Sequence, residues 1–190
     1  MTGREPRRAS CPRPLMTSST PSGPRRAGSH FADHDAARRA IGMALPMIET
    51  AMKDPEVCGS GFLYIVVMDP ALQPGEIPFG DAVLAEHAIG DRTRWDADYA
   101  GFARAKARVS WLAACGSHEV QSLRSHTLRH GDSVLWGSVC LDGIVVGVSG
   151  AHPWWDEAFA TAVAANLRAI AKQRHAMALA QGHWAAGGPA

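Results

Sequence analysis

Apolar residues recur along this chain in two rhythms, one helical and one extended. From Asp33 to Lys53, Ile41, Leu45, Ile48 and Met52 follow at steps of four, three and four, which places them in one stripe of a helix. Asp33 or Asp35 is placed to cap its start, Pro46 to kink or divide it, and Asp54-Pro55 to stop it. Gly61 to Met68 (GFLYIVVM) is β-branched, aromatic and apolar on both parities, which predicts a strand buried on both faces. Asp81 to Ile89 alternates less cleanly and reads as a strand antiparallel to the first. Between the two, Pro70, Pro74, Gly75 and Pro78 make a loop.

Asp96 to Cys115 predicts a second helix, with Tyr99, Phe102, Lys106, Val109 and Leu112 on one face and Gly116 as its C-terminal cap. Ser117 then starts a short helix that turns Val120 and Leu123 inward. From Ser133 to Gly150 two strand-like runs meet at Asp142-Gly143, the pair favoured in a two-residue type I′ hairpin turn. Ile144, Val146 and Val148 face one way. Val145, Gly147 and Ser149 face the other and leave room for a close approach. A long helix from about Pro153 to Met177 buries Phe159, Val163, Leu167 and Ile170, with Pro153 in its first turn and Asp156 and Glu157 at the positive end of its dipole.

Hairpins with helices at both chain ends are not βαβ repeats. They predict an α+β fold, a three-layer α/β/α arrangement with a mostly antiparallel sheet flanked by helices. A length of 190 residues suits one domain, placed at 31–180. Residues 1–30 are rich in Arg, Pro and Ser and are expected to form a disordered tail, and 181–190 to fray. The net charge is +1, so nothing marks the whole chain for nucleic acid. The tail holds six arginines against Glu5 alone, and the body is mildly acidic. No apolar run is long enough to span a membrane. Cys11, Cys58, Cys115 and Cys140 form no CxxC pair, which fits a reducing, cytoplasmic setting without disulfides.

Several segments together resemble the GlcG/HbpS-like family, whose fold is profilin-like. They are the helix run Ala103-Arg104-Ala105-Lys106-Ala107, the hairpin exit Val146-Gly147-Val148-Ser149-Gly150-Ala151, Asp156-Glu157 ahead of a long final helix, and a first strand ending at Asp69. The resemblance runs from about Ala36 to Ala176. It departs at Arg129-His130-Gly131-Asp132-Ser133, where the family is glycine-rich. It implies a homo-oligomer that binds a small molecule, with heme as the cofactor to expect.

Candidate contacts follow from residue chemistry. Ser149, Gly150 and His152 sit at a helix start, where exposed N–H groups bind a carboxylate or phosphate, or simply make a turn. His118, His126, His130 and His152 are imidazoles able to ligate heme iron or zinc, though in no compact metal motif. Lys106 lies on an apolar helix face, as a ligand or acid–base group or as half of an ion pair. Trp154, beside Trp155, is a pocket lid or a subunit contact, and Trp136 a core residue. Three functions stay open: a non-enzymatic domain for heme or another tetrapyrrole, an enzyme acting on a small carboxylate through Lys106 and His152, and an oligomeric scaffold using Trp154 and Trp155.

Overall fold

Six consecutive buried residues, Leu63–Met68, form β1 at the middle of the sheet. A strand covered on both faces requires a layer on each side, and that requirement sets the architecture. The structure, a computed structural model, describes residues 28–187. Through residue 27, and again from 188, the expected tail and frayed end lie outside the described residues.

Along the chain come α1 (His34–Ala51), β1, β2 (Val83–Ile89), α2 (Tyr99–Ala113), α3 (Ser117–Leu123), β3 (Ser138–Leu141), β4 (Ile144–Ser149) and α4 (Pro153–Ala180). The four strands run in the order β2-β1-β4-β3, each antiparallel to its neighbour. On one face, Leu63, Ile65, Val67, Ile144, Val146 and Val148 pack against α1 and α4. On the other, Tyr64, Val66, Met68 and Val145 pack against α2. The result is the expected α+β arrangement, helices on both sides of an antiparallel sheet.

Local signals account for most boundaries. Asp33 caps α1, its carboxylate accepting from Ala36 N–H at 2.8 Å. Asp98 does the same for α2 through Gly101 N–H at 2.8 Å. Asp142 and Gly143 carry φ of 51° and 84°, the paired positive values of a type I′ turn. Pro46 does not divide α1, which runs unbroken through it. The bond it forfeits would reach Gly42 C=O, and both residues are exposed, so water can serve that carbonyl.

Other expectations are met in part. Of the stripe expected on α2, Tyr99, Lys106 and Val109 are buried, together with Ala100, Ala103, Ala107 and Ser110, while Phe102 is 41% exposed. Ala103 and Ala107 pack against Gly147 on β4. A Cβ there would lie 2.6 Å from Ala103 C=O and 2.8 Å from Ala107 Cβ. Helix and strand touch backbone to backbone, which only small residues permit. Ala114, at φ 53°, ends α2, and Gly116 opens α3. Leu123 points out, 74% exposed, because α3 ends there. The hairpin is shorter than its apolar run: residues 133–137 are not strand.

Gly147→Ala is therefore expected to cost about 1–3 kcal/mol by overpacking against the α2 backbone. Gly42→Ala, at an exposed helical position with nothing within 4 Å of the new Cβ, is expected to stabilise by about 0.5–1 kcal/mol. Urea unfolding of the two variants beside the parent checks both signs.

Candidate functional site

Lys106 enters the protein on the face of α2 that carries Ala103 and Ala107, and it ends in a buried polar knot. Its ammonium donates to Asp156 Oδ2 at 2.7 Å, Val148 C=O at 3.1 Å and Ser149 Oγ at 3.2 Å. An ammonium has three N–H groups, so every donor is used. The other carboxylate oxygen, Asp156 Oδ1, accepts from Ala151 N–H at 3.0 Å. Gly137 permits the approach: at φ 133°, a Cβ there would meet Asp156 Cβ at 2.6 Å.

Serines extend the knot toward the sheet edge. Ser138 Oγ donates to Lys106 C=O at 2.7 Å and lies 2.7 Å from Ser110 Oγ. Because the Ser138 proton is committed, Ser110 is the donor of that pair. Ser117 Oγ donates to Ser138 C=O at 3.2 Å and accepts from Gly137 and Ser138 N–H at 3.1 and 3.0 Å. The N-terminal residue of α3 thus occupies the open edge of β3 at Ser138, as a neighbouring strand would.

Burial pushes the Asp156 carboxyl up to about 6, against the pull of Lys106 and of the Ala151 and Gly150 N–H groups, which lowers it. Desolvation of a carboxylate with a single counter-charge wins here over the attraction that charge supplies.

Beside the knot, α3, β3 and α4 enclose an open cleft of about 540 Å³. Leu123, Val139 and Leu141 give it apolar walls, and His118, Glu119, Cys140 and Glu157 give it polar groups. His118 stacks on Trp136 with ring centroids 4.3 Å apart, and its Nδ1 lies 3.8 Å from Glu157. Hairpin register adds backbone groups. In a two-residue hairpin the closing pair, Leu141 and Ile144, bonds inward, and alternate pairs bond outward. Val148 N–H donating to Gly137 C=O at 3.0 Å fixes the same phase. Ser138 and Cys140 therefore turn their N–H and C=O to the edge. Ser117 occupies Ser138, and the Cys140 pair faces the cleft.

The expected site residues divide. Lys106 and Ser149 belong to the buried knot, and Gly150 with Ala151 leads into its cap. His118 lines the cleft. His152 holds the chain through its backbone, N–H to Val57 C=O at 3.1 Å, while its exposed ring stacks on Trp154 at 5.1 Å. Trp154 is 57% exposed, and Trp155 stacks on Phe159 at 6.2 Å. His126 and His130 are exposed in the segment between α3 and β3, and neither lines the cleft. Trp136, expected in the core, is half-buried as the platform for His118. Among the described residues, no group of three or more His, Cys, Asp or Glu is placed to hold a metal ion.

Sequence reasoning missed Asp156 as the partner of Lys106 and the serines that surround them. One signal was present: a lysine on an apolar face needs a buried acid, and Asp156 stands in the first turn of the final helix. Nothing in the spacing of Ser110, Ser117 and Ser138 announces their contact.

No family model matches this chain, and no curated protein sequence does. Among solved structures it is similar to the crystal structure of Klebsiella pneumoniae protein ORFY, described with the family DUF336. The two are 16% identical with a TM-score of 0.46, over 82% of this chain and 99% of that one. Among the described residues, no helix is long and apolar enough to cross a membrane.

Two predictions follow from the knot. Lys106→Met or Asp156→Asn alone leaves an uncompensated buried group and is expected to cost about 3–5 kcal/mol, whereas the double variant recovers most of that loss. Additive losses in chemical denaturation would show that the pair is not coupled. The second concerns pH. The folded carboxyl, near 6, holds its proton more tightly than the ordinary value of 3.8 allows once unfolded. Folding then takes up a proton between those values. The contribution of Asp156 to stability is fully present below about 4 and is lost as pH rises through about 6. Unfolding midpoints at pH 4.5, 6 and 7.5 should show the stability difference between parent and Asp156→Asn shifting toward the parent as pH falls. A constant difference would contradict it.

Proposed function

We propose that this protein is a small-ligand-binding domain and that its ligand is a flat tetrapyrrole, heme or a close relative, held in the cleft between α3, β3 and α4. One observation carries the reading: His118, whose imidazole can ligate heme iron, lines a cleft with apolar walls. Its volume of about 540 Å³ lies within the range of ligand sites, roughly 300–1,000 Å³. Trp136 holds the His118 ring by stacking. Glu119 and Glu157 repel the carboxylate edge of a porphyrin, so that edge would face solvent.

The alternative, an enzyme working on a small carboxylate through Lys106 and His152, finds less support. Every donor of Lys106 is engaged inside the knot, and the His152 ring lies outside on Trp154. A buried ammonium whose three N–H groups are all engaged does not reach a substrate.

Hemin titration of the full chain, followed by absorption spectroscopy, tests the proposal. The expected result is a saturable Soret shift at micromolar hemin that His118→Ala displaces and His130→Ala does not. A flat titration, or a shift unchanged in His118→Ala, overturns it.

A further inference from the structure

A second cavity opens on the other side of α3, and its chemistry differs from that of the cleft. It has a volume of about 230 Å³ and lies between α2, α3 and the segment that follows α3. Val109, Leu112, Val120 and Leu128 make its floor, and Arg124 and Arg129 stand at its rim. Asp132 also borders it, but this carboxylate is already committed. Oδ1 is paired with Arg108, and Oδ2 accepts from Arg129 N–H at 2.7 Å. Arg124 spends one side of its fork on Glu119 at 2.8 Å and sets another N–H 3.6 Å from Cys115 Sγ. The Arg129 guanidinium carries no ion pair or hydrogen bond among the described residues.

Arg124, Arg129 and Asp132 line this apolar hollow, with Arg108 paired to Asp132 and Glu119 paired to Arg124 just outside it, so three guanidinium groups meet two carboxylates there. The local excess is a single positive charge, presented by a planar group suited to grip a carboxylate with two parallel hydrogen bonds. From this geometry we propose that the cavity binds a small monocarboxylate with an apolar body, its hydrocarbon on the Val109–Val120 floor and its carboxylate on Arg129. Inorganic phosphate fits poorly, because it would leave the floor uncovered and bring more charge than the rim can neutralise. The hollow shares no lining residue with the cleft.

Benzoate is the probe of choice, being a monocarboxylate with a rigid apolar ring, and benzyl alcohol is its uncharged counterpart. Amide NMR of the full chain, at 20.2 kDa, reads the site directly. Benzoate is expected to shift the amides of 109–113 and 124–132 saturably. Benzyl alcohol should bind at least tenfold more weakly, and Arg129→Gln should lose at least tenfold in benzoate affinity while the rest of its spectrum stays in place. Arg129→Lys, which keeps the charge but not the fork, should fall between. The proposal is overturned by the absence of a saturable shift at these amides, by equal binding of benzyl alcohol, or by undiminished benzoate binding in Arg129→Gln.

Discussion

One ammonium–carboxylate contact joins the two helical layers of this protein through the sheet. Lys106 comes from α2 and Asp156 from α4, elements on opposite faces, and they meet beside the last residues of β4. A charge buried this deeply is tolerable only when every donor and acceptor around it is paired. That condition has consequences. Ser149 must present its hydroxyl, Val148 its carbonyl and Ala151 its N–H, which fixes how β4 turns into α4. Gly137 must lack a side chain, which fixes where the chain enters β3. Exchange of one member strands the others, so the knot specifies the geometry of this end of the sheet more than it adds to net stability.

The same knot decides what is left for binding. A lysine on an apolar helix face and a serine at a helix start both look like ligand contacts until their bonds are counted, and here the count closes without a ligand. Groups that the knot positions but does not consume lie further out. Ser117 takes the outward-facing bonds of Ser138 and so anchors α3 across the edge of β3. With α3 held there, its two flanks become walls: His118 and Leu123 on the cleft side, Val120 and Arg124 on the other.

Patterns that depend on local chemistry were legible. β1 declared itself by being apolar on both parities, the hairpin by Asp142-Gly143, and α4 by the stripe from Phe159 to Ile170. What was not legible depends on the partner. The stripe of helix α2 placed Tyr99, Lys106 and Val109 inside, but it did not show that Ala103 and Ala107 pack against Gly147, some forty residues away, or that Phe102 stays at the surface. Residues 133–137 looked extended and apolar, yet Gly137 adopts a φ open mainly to glycine and the ladder starts only after it. Lys106 was recognisable as anomalous. Its partner, fifty residues later in chain order, was read only as a helix-dipole charge, because periodicity ranks residues by face and says nothing about which buried charges meet.

Helix α3 is too short to be stable alone, so its place is set by what holds it at each end. At its start Ser117 is bonded into β3, and beyond its end Arg124 is paired with Glu119 one turn back. That ion pair links the two hollows: Glu119 lines the cleft and Arg124 rims the arginine cavity. An anion on Arg124 would weaken its hold on Glu119 and make the cleft more acidic, and a cation beside Glu119 would free Arg124 for an anion. Linkage requires any such effect to be equal in both directions. The coupling would be modest, since both partners are about half exposed and surface pairs of this kind are worth only about 0–1 kcal/mol. Seven residues of helix, held at one end by a buried serine and at the other by a surface ion pair, thus make two hollows of opposite electrostatic character neighbours.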